Sequence, residues 1–438
     1  MRERRGKLEA DLAAQHFETR LTCTLLSRQD PFVATNARSA FLDLSGVNAL
    51  DNCETNQPTS INHLSEEILA EIFHFCQEGI IVRKFDSTAR PRRREVPLLL
   101  CQICHHWREV ALSLPCLWNS LAASGLGPFI PHPALIELWL SCSRGQPLCL
   151  HFALSLSNTC SNDPLQYHSH ASKIFEFFSK EMYQWCTISF ILNNTLIGQF
   201  LGAVDSKARN LQELDLVFDT RVLGRDAAKV SSLLPLLSNL RKLSWLGQLP
   251  IMSLRNIPFR QLTHIYLELL LYGGDVAEFL SHCTSALEIH WKGVTCTDPY
   301  MARGKGPQAA LLSLQSLSLL GNGDLALILG QLTLPSLKDL HLHTRVSFTS
   351  RDHRLLEDFF NRSSCPLNNF TFYDGGLDRE SICDYVAIPF LESIPSIKFF
   401  FSFAEDLLGD MKDPRYLSIF ERLQVIYPST ACPAFMWK

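Results

Sequence analysis

Two short strings in this chain have residue types and spacing that could do chemistry. Cys101-Gln102-Ile103-Cys104-His105 spells the Cys-x-x-Cys-His of c-type haem attachment, and its thiols with His105 or His106 are zinc-ligand types. The string falls in a stretch that reads as an amphipathic helix whose apolar stripe is needed for packing, and no second ligand pair stands nearby. His341-x-His343 puts two imidazoles on one face of a strand, again without the remaining ligands of a metal site. No metal and no cofactor are therefore expected. No Gly-x-Ser-x-Gly, Gly-x-Gly-x-x-Gly or phosphate-loop string occurs, and Gly304-Lys305-Gly306-Pro307 reads as a loop. No catalytic residue is assigned. The enzymatic alternative is a hydrolase built on strand-face His and Asp residues, which would lose activity on His290→Ala or His341→Ala.

Composition narrows the classes further. The 438 residues are 46 % hydrophobic, 10 % aromatic and 19 % charged, which excludes a mostly disordered chain. Forty basic against 44 acidic residues leave a net charge of −4, with no basic excess to drive nucleic-acid binding. Met1 to Lys7 is followed by Leu8-Glu9-Ala10-Asp11, not by an apolar run, so no secretory signal is expected. Nor does any stretch reach the length of a membrane-spanning helix. The 15 cysteines are scattered and odd in number, and are read as reduced thiols in a cytoplasmic or nuclear protein.

The elements that must position these residues fall into an order along the chain. Residues 4–27 read as a short polar helix, and residues 28–60 as a linker, so 1–59 form one N-terminal unit. From Ile61 the pattern sharpens: Leu64, Ile68, Leu69, Ile72 and Phe73 share a helical face, with Glu66 and Glu67 at the dipole-favoured first turn. Residues 79–95, with the run Arg90-Pro91-Arg92-Arg93-Arg94, read as an exposed loop. A second helix opens at Pro97 and carries Leu100, Ile103, Trp107, Val110 and Leu114 at spacings of three and four. Pro115 stops it, and Cys116-Leu117-Trp118 adds an apolar anchor. Two indoles in so small an all-α module point to a surface shared with a partner or to mutual packing.

This segment resembles the F-box in its fungal form. The resemblance rests on Leu64-Ser65-Glu66-Glu67-Ile68-Leu69-Ala70-Glu71-Ile72-Phe73, on Val96 to Leu112 with Trp107-Arg108 at its centre, and on Leu114-Pro115-Cys116-Leu117-Trp118. Leu135-Ile136-Glu137-Leu138-Trp139-Leu140 and Gln146-Pro147-Leu148-Cys149-Leu150 are similar to the segment that follows the box. Ser65 stands where the family pattern has Pro, and residues 79–95 lengthen the first connection. The resemblance implies docking on a Skp-type adaptor and, through it, a cullin. The residues it assigns to the shared core and adaptor interface are Leu64, Ile68, Leu69, Ile72, Ile103, Trp107, Leu117 and Trp118, without dividing packing from contact.

Beyond residue 180 a Leu-x-x-Leu-x-Leu pattern recurs. It begins at Leu211, Leu214, Leu216 and returns at Leu240, Leu262, Ala286, Leu314, Leu337, Leu367 and Ile397, with first positions 22 to 30 residues apart. Trp185, Ile188 and Phe190 fit one period earlier, and Phe400 is paired with Ile397 in the last. This is the spacing of leucine-rich repeats, each a strand followed by a helix or turn, although the usual Asn occurs only at Asn322. Helices are expected over 227–237, 276–282, 324–331 and 354–360. A non-repetitive α/β domain is the alternative.

The expected fold is α/β overall: an F-box-like helical module (60–121), a connecting segment (122–180) and an irregular leucine-rich-repeat-like α/β solenoid (181–438). Strand alternation then turns one row outward: Asp215, Ser244, Tyr266, His290, Ser318, His341 and Thr371. Glu213, Lys242, His264, Glu288, Asp339, Glu268, Lys292, His343 and Tyr373 flank it. This mixed-charge face is expected to bind an unknown target protein. The expected role is a substrate-recognition subunit of a Skp–cullin–F-box ubiquitin ligase, with neither nucleic acid nor membrane as partner. The alternative is a non-degradative interaction scaffold, with or without the adaptor.

Overall fold

A run of alternating apolar residues such as His264-Ile265-Tyr266-Leu267 buries every second side chain, and it does so here in strand after strand. The computed structural model describes residues 64–78, 96–125, 133–154, 164–203, 208–219, 222–296, 309–344, 353–374, 384–385 and 387–401. The expected helix at 4–27, the linker at 28–60, Arg90 to Arg94 and Gly304 to Pro307 lie outside these residues.

Among the described residues, eleven strands form one parallel sheet whose spatial order is the chain order. They are β1 (Ser120–Gly125), β2 (Leu148–Leu154), β3 (Trp185–Leu192), β4 (Glu213–Phe218), β5 (Lys242–Leu246) and β6 (His264–Tyr272), then β7 (Glu288–Cys296), β8 (Ser316–Gly323), β9 (Asp339–Thr344), β10 (Asn369–Asp374) and β11 (Ser396–Phe401). Parallel neighbours need a crossover, and helices supply many of them. These are α4 (Pro133–Ser143), α5 (Pro164–Lys180), α6 (Asn194–Ala203), α7 (Gly224–Ser231), α8 (Ile251–Leu254), α9 (Gly273–Ser281), α10 (Ala326–Leu329) and α11 (His353–Ser363). Ahead of the sheet stand α1 (Glu66–Glu78), α2 (Val96–Ile103) and α3 (His105–Ser113).

The sequence repeat maps onto the sheet register. Leu214, Leu243, Ile265, Ile289, Leu317, Leu340, Phe370 and Ile397 are successive partners, as are Leu216, Trp245, Leu267, Trp291, Leu319, Leu342, Phe372 and Phe399. All are buried. The last period differs from expectation by three residues. Ile397, expected at a first position with Phe400 at the second, pairs with Phe370 and so holds the second position itself. Phe399 completes the inner row, and Phe400 is in register with Tyr373.

The rarity of Asn at the expected position is matched by a backbone device at strand entry. Gln212 O accepts from both Arg241 and Lys242 N–H, Arg241 O from Thr263 and His264, and Thr263 O from Leu287 and Glu288. Leu287, Gln315 and Lys338 carbonyls repeat this with the next two N–H groups. From β4 to β10 one forked carbonyl at each of the six steps holds the register, whatever side chain is present.

Two further differences from the sequence reading have local causes. The sheet begins at Ser120, so the segment expected to be a connector (122–180) contributes β1, β2, α4 and α5. The small residues of Ser120-Leu121-Ala122-Ala123 carry little strand signal of their own. The single helix expected from Pro97 is two helices. Cys104 is extended (φ −158°, ψ 173°), and its Sγ accepts from Trp107 N at 3.5 Å as an N-cap of α3. The Cys-x-x-Cys-His string thus straddles a helix break instead of lying within one helix.

Candidate functional site

The first candidate surface is on the helices ahead of the sheet. Leu69 and Phe73 of α1 are fully buried, as are Leu117 and Trp118 after α3. Trp107 packs on Phe73 with ring centroids 5.0 Å apart, and Trp118 meets Trp139 of α4 edge-on at 5.0 Å. The Trp118 indole N–H donates to Ala111 O at 2.7 Å. Leu69, Trp107, Leu117 and Trp118 therefore fill the interior of this module and belong to the packing side of the shared core and interface assigned to them. Leu64 and Ile72 are half-buried against the same core. Ile68 is 51 % exposed and Ile103 54 % exposed, and Phe75, which the sequence reading passed over, is 73 % exposed. Ile68 and Phe75 are seven residues apart, two turns along one face of α1. The signal for Phe75 was that same helical periodicity, continued beyond Phe73.

The second surface is the outward row of the sheet. The seven expected residues are successive cross-strand partners: Asp215, Ser244, Tyr266, His290, Ser318, His341, Thr371. The row extends through His151 and Ser189 at one end and Lys398 at the other. Those three were missed because their strands carried weaker repeat patterns. Asp215, Ser244 and Ser318 are buried although they alternate with the inner row. Tyr266, His290, His341 and Thr371 remain half-exposed.

Polar contacts knit this row together. His151 Nδ1 lies 3.0 Å from Ser189 Oγ, which donates to Asp215 Oδ2 at 3.0 Å. Here the serine stands between histidine and aspartate, whereas a nucleophilic triad needs the histidine in the middle. Toward the centre, His290 Nε2 is 2.8 Å from Glu288 Oε1, and His264 Nε2 is 3.8 Å from Glu288 Oε2. The Tyr266 ring stacks on His290 at 4.8 Å. The hydrogen bond from His290, helped by one from Tyr266, holds the Glu288 carboxyl down at about 2 against burial. Burial and the Glu288 charge push the Tyr266 phenol up. Burial, with some repulsion from His290 and Lys398, lowers His341, although Asp339 opposes it.

The flanking charges pair across strands: Lys242 with Glu213 at 2.6 Å, Lys292 with Glu268 at 2.9 Å, and Asn369 donating to Asp339 at 2.5 Å. His343 lies against Tyr373 with ring centroids 4.0 Å apart. Leu270 and Tyr272, at the far end of β6 on the same side as Tyr266, are well exposed. They went unread because β6 runs past the repeat. Such a face of paired charges, imidazoles and exposed aromatic rings suits a protein surface.

Among the described residues, no group of three or more His, Cys, Asp or Glu side chains is placed to hold a metal ion. No helix of theirs is long and apolar enough to cross a membrane. No family model matches the chain, and no curated protein matches it.

Proposed function

We propose that the chain is a substrate-recognition subunit of a Skp–cullin–F-box ubiquitin ligase. The helices at 66–113 and the Leu117-Trp118 anchor act as the F-box, and the eleven-stranded sheet acts as a leucine-rich-repeat-like solenoid that binds a target protein. The observation that carries this reading is the exposure of Ile68, Phe75 and Ile103 on a module whose interior is already filled by Leu69, Phe73, Trp107, Leu117 and Trp118. An apolar helix face left in solvent after the core is complete fits the groove of a helical partner. Catalytic residues belong to other subunits, and the receptor works by positioning its target.

The test is a pull-down with a purified Skp-type adaptor. Wild type binds it, and Ile68→Asp/Ile103→Asp, which changes exposed residues only, loses binding while keeping its thermal transition. A folded wild-type chain that does not bind would end the proposal. Binding unaffected by the double substitution would show that the adaptor uses another face. Co-purification with adaptor but never with cullin would favour the non-degradative scaffold.

A further inference from the structure

Away from the outward row, the chain builds a cavity of about 390 Å³ between the turn that enters β6 and the helix that leaves it. Its apolar floor includes Ile257, Phe259 and Phe279, the two rings lying 5.8 Å apart at 37°. Phe259 and Phe279 are both almost fully buried, so their packing gives the cavity a wall that is built with the fold. The volume lies at the lower end of the roughly 300–1,000 Å³ typical of ligand pockets.

The charges at its mouth are unusual for this molecule. Arg255, Arg260 and His282 line the cavity, with Glu278 as the one acidic group. Elsewhere among the described residues arginine side chains have partners: Arg362 donates to Leu329 and Leu332 carbonyls, Arg241 to Ser238 and Leu240, Arg144 to Leu112, and Arg108 to Cys101, while Arg225 faces Asp226. Arg209 and Arg354 are partnered as well. Arg255 and Arg260 are the two described arginines whose side chains meet no partner, and both stand at this one cavity. Guanidinium groups over an apolar floor match a carboxylate ligand with a bulky apolar part.

We propose that this cavity is a second docking site, which takes an acidic segment of a partner protein with one large apolar side chain. The apolar side chain packs against the wall that Ile257, Phe259 and Phe279 build, and flanking carboxylates pair with Arg255 and Arg260. Glu278 sets a limit on how many carboxylates fit. The site is independent of adaptor docking and of the outward row.

The experiment uses the full chain and a fluorescein-labelled peptide Glu-Asp-Phe-Glu-Asp in a polarisation titration. Saturable binding is expected, weakened about tenfold, or ~1.4 kcal/mol, both by Arg255→Glu/Arg260→Glu and by replacing the peptide phenylalanine with alanine. Rising salt weakens it too, since the paired groups are exposed. Absence of binding by a folded chain would overturn the proposal, as would equal binding by the arginine variant. Phenylacetate competing as tightly as the peptide would make this a small-molecule pocket, and self-association abolished by the arginine changes would make a second copy the occupant. Either result replaces the acidic partner. Circular dichroism of the variant guards against misfolding, and Arg255→Lys/Arg260→Lys should restore much of the binding.

Discussion

The indole of Trp118 shows how far one residue can be argued. Its ring is fully buried against Trp139, and its N–H satisfies Ala111 O near the end of α3. Trp118→Phe should therefore cost about 1–3 kcal/mol, more than Trp107→Phe, whose indole N–H meets no acceptor among the described residues. Denaturant midpoints of the two variants provide the comparison. Glu288 supplies a prediction in pH. Its folded pKa, about 2, is below its ordinary value of 4.5, so its stabilising effect is full above that ordinary value and is lost as pH falls toward 2. Glu288→Gln should flatten the stability profile over that window. His341 is also lowered, so its folded state resists protonation and acid below its ordinary 6.5 destabilises the fold. In an NMR titration its midpoint should lie below 6.5. Residue types and the outward row were legible beforehand because strand alternation is local. The pairing of Glu288 with His264 was not, since it depends on which strands are neighbours.

Among elements, β6, β7 and β8 outlast their neighbours, and β7 and β8 need glycine where they do so. A Cβ at Gly323, whose φ is +86°, would stand 1.8 Å from Cys296 O. Gly293 has φ +102° at the irregularity between β6 and β7 and would bring a Cβ within 2.5 Å of Leu269 O. Gly323→Ala should destabilise by about 1–3 kcal/mol or more, read as a loss in thermal midpoint. At Lys292, whose ion pair with Glu268 is substantially exposed, substitution by alanine should cost no more than about 1 kcal/mol in the same assay. The helix pattern of 97–114 was visible in sequence, but the break at Cys104 was not. A cysteine cap works through the backbone geometry of the next turn, and periodicity does not report it.

For the molecule as a whole, chain-ordered parallel strands mean that each strand is held mainly by the one before and the one after. Loss at an end then need not propagate at once, and local openings should differ along the sheet. Hydrogen exchange is expected to be slowest for amides of β4 to β9, flanked on both sides, and faster in β11, which pairs on one side only among the described residues. Uniform protection across all strands would contradict this.

Local periodicity was enough to assign the Leu-x-Leu inner rows, the outward row and the helices before them, because burial alternates every two residues in a strand and every three to four in a helix. Packing decided the rest. It placed the start of the sheet at Ser120 and moved Trp107, Leu117 and Trp118 into the interior while leaving Ile68, Phe75 and Ile103 in solvent. It also brought Arg255 and Arg260 to one cavity with His282. Each of those outcomes depends on which distant segments meet, and a chain's own spacing carries no measure of that.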